Sequence, residues 1–200
     1  MRKTILMTVL LVGVAWAPAN YLINPGFETG APPFGPADNW DSSARAAHAD
    51  FPRPNNGSLG AYFAFLNGDP ADGRKWTLQI APVLFTPSTT WTFSGWAVDG
   101  IGDIGGRIRF QIGYLPTFDL NSFVPLSTAE YDTTQQWAPY PGTTYTTGTV
   151  GPELGKNVVV KITAVYLGTP PDDIWFDEMV LVPEPAGLAL LAFASLLRRR

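Results

Sequence analysis

Few residues in this sequence are arranged for chemistry, and Asp177 stands foremost. It lies in IWFDEMVL, an apolar run interrupted by acid. If that run is a strand, Trp175, Asp177, Met179 and Leu181 point one way, and Ile174, Phe176, Glu178 and Val180 the other. Both faces are mostly apolar, which predicts at least partial burial of Asp177. A buried carboxylate needs a cation, an array of donors or a proton. Flat aromatic faces are the second feature, because a sugar ring can stack on them. Trp40, Tyr62, Trp76, Trp137 and Tyr140 lie in or near loops and could form such a platform. Trp40, Trp137 and Tyr62 are the candidate carbohydrate contacts, the two tryptophans leading because their surroundings are polar and turn-rich. Core packing is the competing use of every tryptophan in a domain of this size.

Catalytic machinery is not legible. His48 is the single histidine. Ser58 in NGSLG departs from the Gly-x-Ser-x-Gly elbow, and nothing pairs it with a base and an orienting acid. A glycosidase sets two carboxylates across the bond it cuts. Asp50 and the pair Asp172 and Asp173 could be drafted, but any acidic surface offers as much. The run GIGDIGG at 100–106 lacks a lysine and opens no helix, so a phosphate-binding reading fails. There is no cysteine, which removes disulfides, thiolate zinc sites and cysteine nucleophiles together.

The elements that must position these residues are strands. The chain has 200 residues, enough for one domain with a sizeable core. Its 20 glycines and 19 prolines stay below the share at which disorder becomes the default. Seven Trp, seven Tyr and twelve Phe argue for folding, since disordered chains are poor in aromatics. Short apolar or alternating runs recur between turn signals, with no long amphipathic helix, which predicts an all-β antiparallel sandwich. The expected strands cover 21–23, 61–66, 76–80, 91–98, 107–114, 143–150, 157–166 and 174–181. In RIRFQIGY, Ile108, Phe110, Ile112 and Tyr114 share one face and Arg107, Arg109 and Gln111 the other, one buried side and one wet. The loops APPFGPADNW, DFPRPNNGSLG and LGTPPDD are dense in turn formers.

The ends differ from the body. MRKTILMTVLLVGVAWAPA has a basic start at Arg2 and Lys3, an apolar run and then small residues, the anatomy of a secretory signal. Cleavage after Ala17-Pro18-Ala19 leaves Asn20 as the new terminus. At the other end, residues 186–197 are apolar or small. As a helix they span about 18 Å, short of a hydrocarbon core roughly 30 Å thick. Arg198, Arg199 and Arg200 would snorkel and stay cytoplasmic. Five of the 13 basic residues lie at these ends, whereas all 17 acidic residues lie between Glu28 and Glu184. A nucleic-acid partner needs clustered positive charge, so this acidic body excludes it. The expected organisation is a signal peptide at 1–19, a sandwich at 20–182 and a tail at 183–200.

Val182-Pro183-Glu184-Pro185, the short apolar helix and the terminal Arg198-Arg199-Arg200 together resemble a PEP-CTERM sorting signal. That resemblance implies recognition by an exosortase-type membrane enzyme, passage through a membrane-associated state, and delivery to the bacterial surface or its exopolysaccharide matrix. The short helix departs from the pattern and puts lasting anchorage in question. NYLINPGFETG and IWFDEMVL resemble the opening and closing strands of galactose-binding-like jelly rolls, a fold shared by many carbohydrate-binding modules. LQIAPVLFTPSTTWTFSGWAV is similar to the strands between. The resemblance implies a structural calcium ion held by Glu28 and Asp177 with backbone oxygens. Where such modules commonly pair two acids, Glu178 at the second position departs. The expected function is non-enzymatic carbohydrate binding by an exported protein. The alternatives are a structural matrix protein with no specific ligand and, more weakly, a glycan-active hydrolase.

Overall fold

In the computed structural model, residues 19–29, 37–41, 64–67, 76–100, 105–165 and 173–184 are described. The expected signal segment up to residue 18, Tyr62, Pro185, the apolar stretch 186–197 and Arg198, Arg199 and Arg200 lie outside the described residues. So do His48, Asp50, Ser58 and Asp172.

Eight strands form: β1 Ala64–Asn67, β2 Trp76–Leu84, β3 Thr90–Asp99, β4 Arg107–Tyr114, β5 Val124–Asp132, β6 Ala138–Thr146, β7 Asn157–Val165 and β8 Asp173–Pro183. They build two four-stranded sheets, ordered β1-β8-β3-β6 and β2-β7-β4-β5, with every pairing antiparallel. The chain passes from one sheet to the other at each connection except the one joining β4 to β5. This is an antiparallel β-sandwich, as the alternating runs predict, of the jelly-roll type that the resemblance implies. Among the described residues, no helix is long and apolar enough to cross a membrane.

Period-two alternation fills the space between the sheets. Ile108, Phe110 and Ile112 of β4 and Val158, Val160 and Ile162 of β7 turn inward and are fully buried. From the opposing sheet come Phe93, Phe176, Met179 and Leu181. Phe93 meets Phe110 edge to face across the interior, ring centroids 5.5 Å apart. Burying each such side chain contributes roughly 1.5–3 kcal/mol.

The structure departs from the sequence expectations in three places. Residues 21–23 are not a strand. Instead the Asn20 side chain donates to the Met179 carbonyl and accepts from Leu181 N–H, while Tyr21 N–H donates to the Leu181 carbonyl. The opening segment is thereby fastened along β8 past the point where β1 ends. A buried Gln79 then ties it to the second sheet, bonding both backbone groups of Ile23 at 2.8 Å. Strand β6 begins at Ala138 rather than 143, and β5 lies where no strand is expected. Third, β8 changes phase. Glu178 takes a left-handed φ of 49°, and the register opposite shifts between Ser94 and Trp96. Ile174 and Phe176 face the core before this bulge, and Met179 and Leu181 after it. The single-face grouping of Asp177 with Met179 therefore fails, because one inserted residue inverts every side chain beyond it.

Candidate functional site

The outer face of the β2-β7-β4-β5 sheet carries its polar side chains in rows. Inward residues of β4 and β7 alternate with outward ones, so register alone assigns the rows. One runs Trp76, Thr163, Arg109, Glu130, and the next Leu78, Lys161, Gln111, Thr128. The Lys161 ammonium sits 4.2 Å from the centroid of the Trp76 ring and 5.4 Å from that of Phe123. Phe123 arrives from the β4–β5 connection, where Gly113 leaves it space that a Cβ would fill.

Charge on this face is mostly self-compensated. Arg109 Nη2 lies 2.6 Å from Glu130 and Arg107 Nη2 lies 2.7 Å from Asp132, with Arg107 also 3.6 Å from Glu130. The Asp132 bond raises the Arg107 pKa further. Lys161 makes no ion pair among the described residues. Burial lowers its pKa, and the charge on Arg109 lowers it again. Beside it Gln111 Nε2 donates to Thr128 Oγ1 at 3.2 Å. The Thr163 hydroxyl is enclosed and has no hydrogen-bond partner among the described residues.

Beyond Lys161 the face turns apolar. Ile80 is 42% exposed and stands between two hollows. One, of about 210 Å³, is lined in part by Leu115, Phe118 and Val159. The other, of about 270 Å³, is lined in part by Ile23, Leu78 and Leu120.

The sequence-derived aromatic candidates fall elsewhere. Trp40 is buried at 4% exposure, its ring 4.9 Å from Phe27 and its Nε1 donating to the Asn24 carbonyl at 3.1 Å. A ring so covered offers no face to a sugar, which corrects its placement in an exposed loop. Trp137 is half-buried and packs on the pair Val98 and Trp175 of the other sheet, so it does not join Trp76. Tyr140 donates to the Asp132 carbonyl at 3.3 Å and packs on Tyr131. Lys161, Gln111 and Phe123 were not singled out from the sequence. The alternation of RIRFQIGY places Gln111 outward, but only cross-strand register sets it and Lys161 beside Trp76.

Asp177 sits at the strand junction, 1% exposed. Gly26 passes over it, so close that a Cβ there would stand 3.6 Å from Asp177 Oδ1, 3.6 Å from Glu178 Oε1 and 3.8 Å from Glu28 Cγ. Glu28, Asp177 and Glu178 are thus gathered beneath one glycine, bringing the two predicted metal ligands together. Burial pushes the Asp177 pKa up to about 8, with the charges of Glu178 and Glu28 adding to it and the Glu178 N–H bond opposing it. That N–H donates to Oδ1 at 2.7 Å. An acid so poorly compensated fits a hard cation. Side chains alone fall short, since among the described residues no group of three or more His, Cys, Asp or Glu is placed to hold a metal ion. Backbone oxygens would have to complete the six to eight that calcium takes.

No family model matches the sequence, and no curated protein matches it. Solved structures resemble it in fold. A cyclase from Fischerella sp. TAU in complex with 4-(1H-indol-3-yl)butan-2-one superposes with a TM-score of 0.61 at 16% identity, over 84% of this chain and 98% of that one. The CBM22-1 xylan-binding domain from Paenibacillus barcinonensis Xyn10C superposes with a TM-score of 0.55 at 15% identity, over 86% of this chain and 99% of that one. An arabinose-bound α-L-arabinofuranosidase matches over 82% of this chain but only 26% of its own, at TM-score 0.58 and 16% identity. At such identities the likeness is one of fold.

Proposed function

We propose that this chain is a non-catalytic carbohydrate-binding protein, exported and sorted to the cell surface or its polysaccharide matrix, that holds its glycan on the outer face of the β2-β7-β4-β5 sheet. The observation that carries the reading is the Trp76 ring set beside Lys161 on a rigid strand face. An aromatic ring supplies a flat apolar platform, and amide and cationic side chains beside it fix a sugar's hydroxyls. Gln111, Arg109 and Thr128 lie in the same rows. That a xylan-binding domain shares the fold supports the same reading.

Asp177 has the raised pKa expected of a general acid. Its carboxylate lies under Gly26 rather than in an open cleft, and this favours a structural role over catalysis. In that role a calcium ion held by Asp177, Glu28 and backbone oxygens would neutralise the buried charge. The terminal pattern ending in Arg198, Arg199 and Arg200 supports sorting by an exosortase-type enzyme.

Affinity electrophoresis of the protein against a panel of soluble polysaccharides tests the reading. Retardation by at least one glycan, lost in Trp76→Ala while the variant remains folded, is expected. Retardation by none, the host's own exopolysaccharide included, would favour a matrix protein without a ligand. Release of reducing sugar would favour the hydrolase.

A further inference from the structure

The charges on the proposed binding face are unequally satisfied. Arg107 and Arg109 are held by Asp132 and Glu130 at 2.6–2.8 Å. Lys161 is not: its register neighbours across the strands are Leu78 and Gln111, and its ammonium rests against Trp76 and Phe123. A half-buried ammonium that has shed water and gained only aromatic faces is under-compensated. It is also the one cation among these three that remains available to a ligand.

We infer that the glycan is a largely neutral chain bearing sparse carboxylate groups, such as uronic-acid substituents, and that Lys161 receives one carboxylate while Trp76 stacks the adjoining sugar. The inference rests on the carbohydrate reading and sharpens it. A charge-assisted hydrogen bond to a carboxylate is stronger than a partly exposed cation–π contact, so the anion draws the ammonium to itself from the indole. A sugar stacked there brings its ring substituents within reach of Nζ. Sparseness follows from the surroundings. Glu130 and Asp132 keep the two arginines occupied, and the protein carries 17 acidic residues against 13 basic ones. A chain charged at every sugar meets repulsion everywhere except at Lys161.

The test compares a polysaccharide with its own neutralised form, so that charge is the single difference. The probes are glucuronoxylan, the same material with its carboxyl groups reduced to alcohols, and polygalacturonate. Binding to glucuronoxylan is expected to exceed binding to the reduced form by roughly ten-fold, the worth of one charge-assisted bond, and the gap is expected to close as salt rises. Lys161→Met should abolish the preference for native over reduced glucuronoxylan, and Lys161→Arg should restore it. If either variant fails to fold, the wild-type comparison decides alone. Equal binding of native and reduced glucuronoxylan would overturn the inference and leave the carbohydrate reading standing. Tighter binding of polygalacturonate than of glucuronoxylan would overturn the sparse-charge requirement. Binding to neither xylan form nor polygalacturonate, with no retardation by any other glycan of the panel, would count against the carbohydrate reading itself.

Discussion

Gly95 on β3 makes room for Met179 on β8. A Cβ at position 95 would collide with the Met179 thioether and come within 3.3 Å of the Asp177 carbonyl. Met179 reaches that space only because the bulge at Glu178 turns it inward. The glycine and the bulge are therefore one device, and together they leave Asp177 on the opposite side of β8 from Met179.

Gly95→Ala overpacks this contact and should cost about 1–3 kcal/mol, read as a lower urea midpoint with an unchanged m-value. An unaltered midpoint would mean that the flexible Met179 thioether swings clear of position 95.

Stability should depend on pH through Asp177. Its pKa is about 8 in the folded protein against 3.8 as the ordinary value, so the folded state holds a proton that the unfolded chain releases. With chelator present, the associated stability is complete below about pH 4 and declines as pH rises to about 8. Calcium should raise the melting temperature most at the upper end of that window, because it replaces the proton. Asp177→Asn should remove both the slope and the calcium response. A melting temperature indifferent to chelator at pH 8 would exclude an ion at the junction.

Trp40 and Trp76 should separate stability from binding. Trp40→Ala empties a packed site against Phe27 and should cost about 3–5 kcal/mol. Trp76→Ala should lower the melting temperature less than Trp40→Ala does and abolish glycan retardation. The reverse pattern would return the site to the loop containing Trp40.

Much of this fold is legible in sequence. Strand β4 matches its predicted range, and β2, β3, β7 and β8 are found where apolar runs mark them. What escapes has a physical reason. Strands β5 and β6 are edge strands, which need few apolar residues and tolerate proline such as Pro125, Pro139 and Pro141. The bulge at Glu178 carries no composition signal, since any acid could stand there. Trp40 looked exposed because its neighbours are polar, yet its indole alone enters the core. The partnership of Trp76 with Lys161 spans two strands 85 positions apart in the chain, and pairing register decides it.

Glu184 should affect processing without affecting stability. Its N–H donates to the Thr90 carbonyl at 2.7 Å, while its exposed carboxylate accepts, among the described residues, a 3.2 Å bond from Thr92. Glu184→Gln should thus move stability by less than about 0.5 kcal/mol and yet block maturation, seen as an unprocessed band on blotting. Normal maturation would count against the exosortase reading.

The placement of β8 has a mechanical consequence. Any load transmitted through the chain beyond Glu184 enters the fold along a strand flanked on both sides, by β3 on one and by β1 and the Asn20–Tyr21 segment on the other. Antiparallel ladder bonds lie across the strand axis, so a pull along β8 strains many of them simultaneously. The sandwich is thereby built to resist tension in shear, where peeling from an edge would part the bonds one after another.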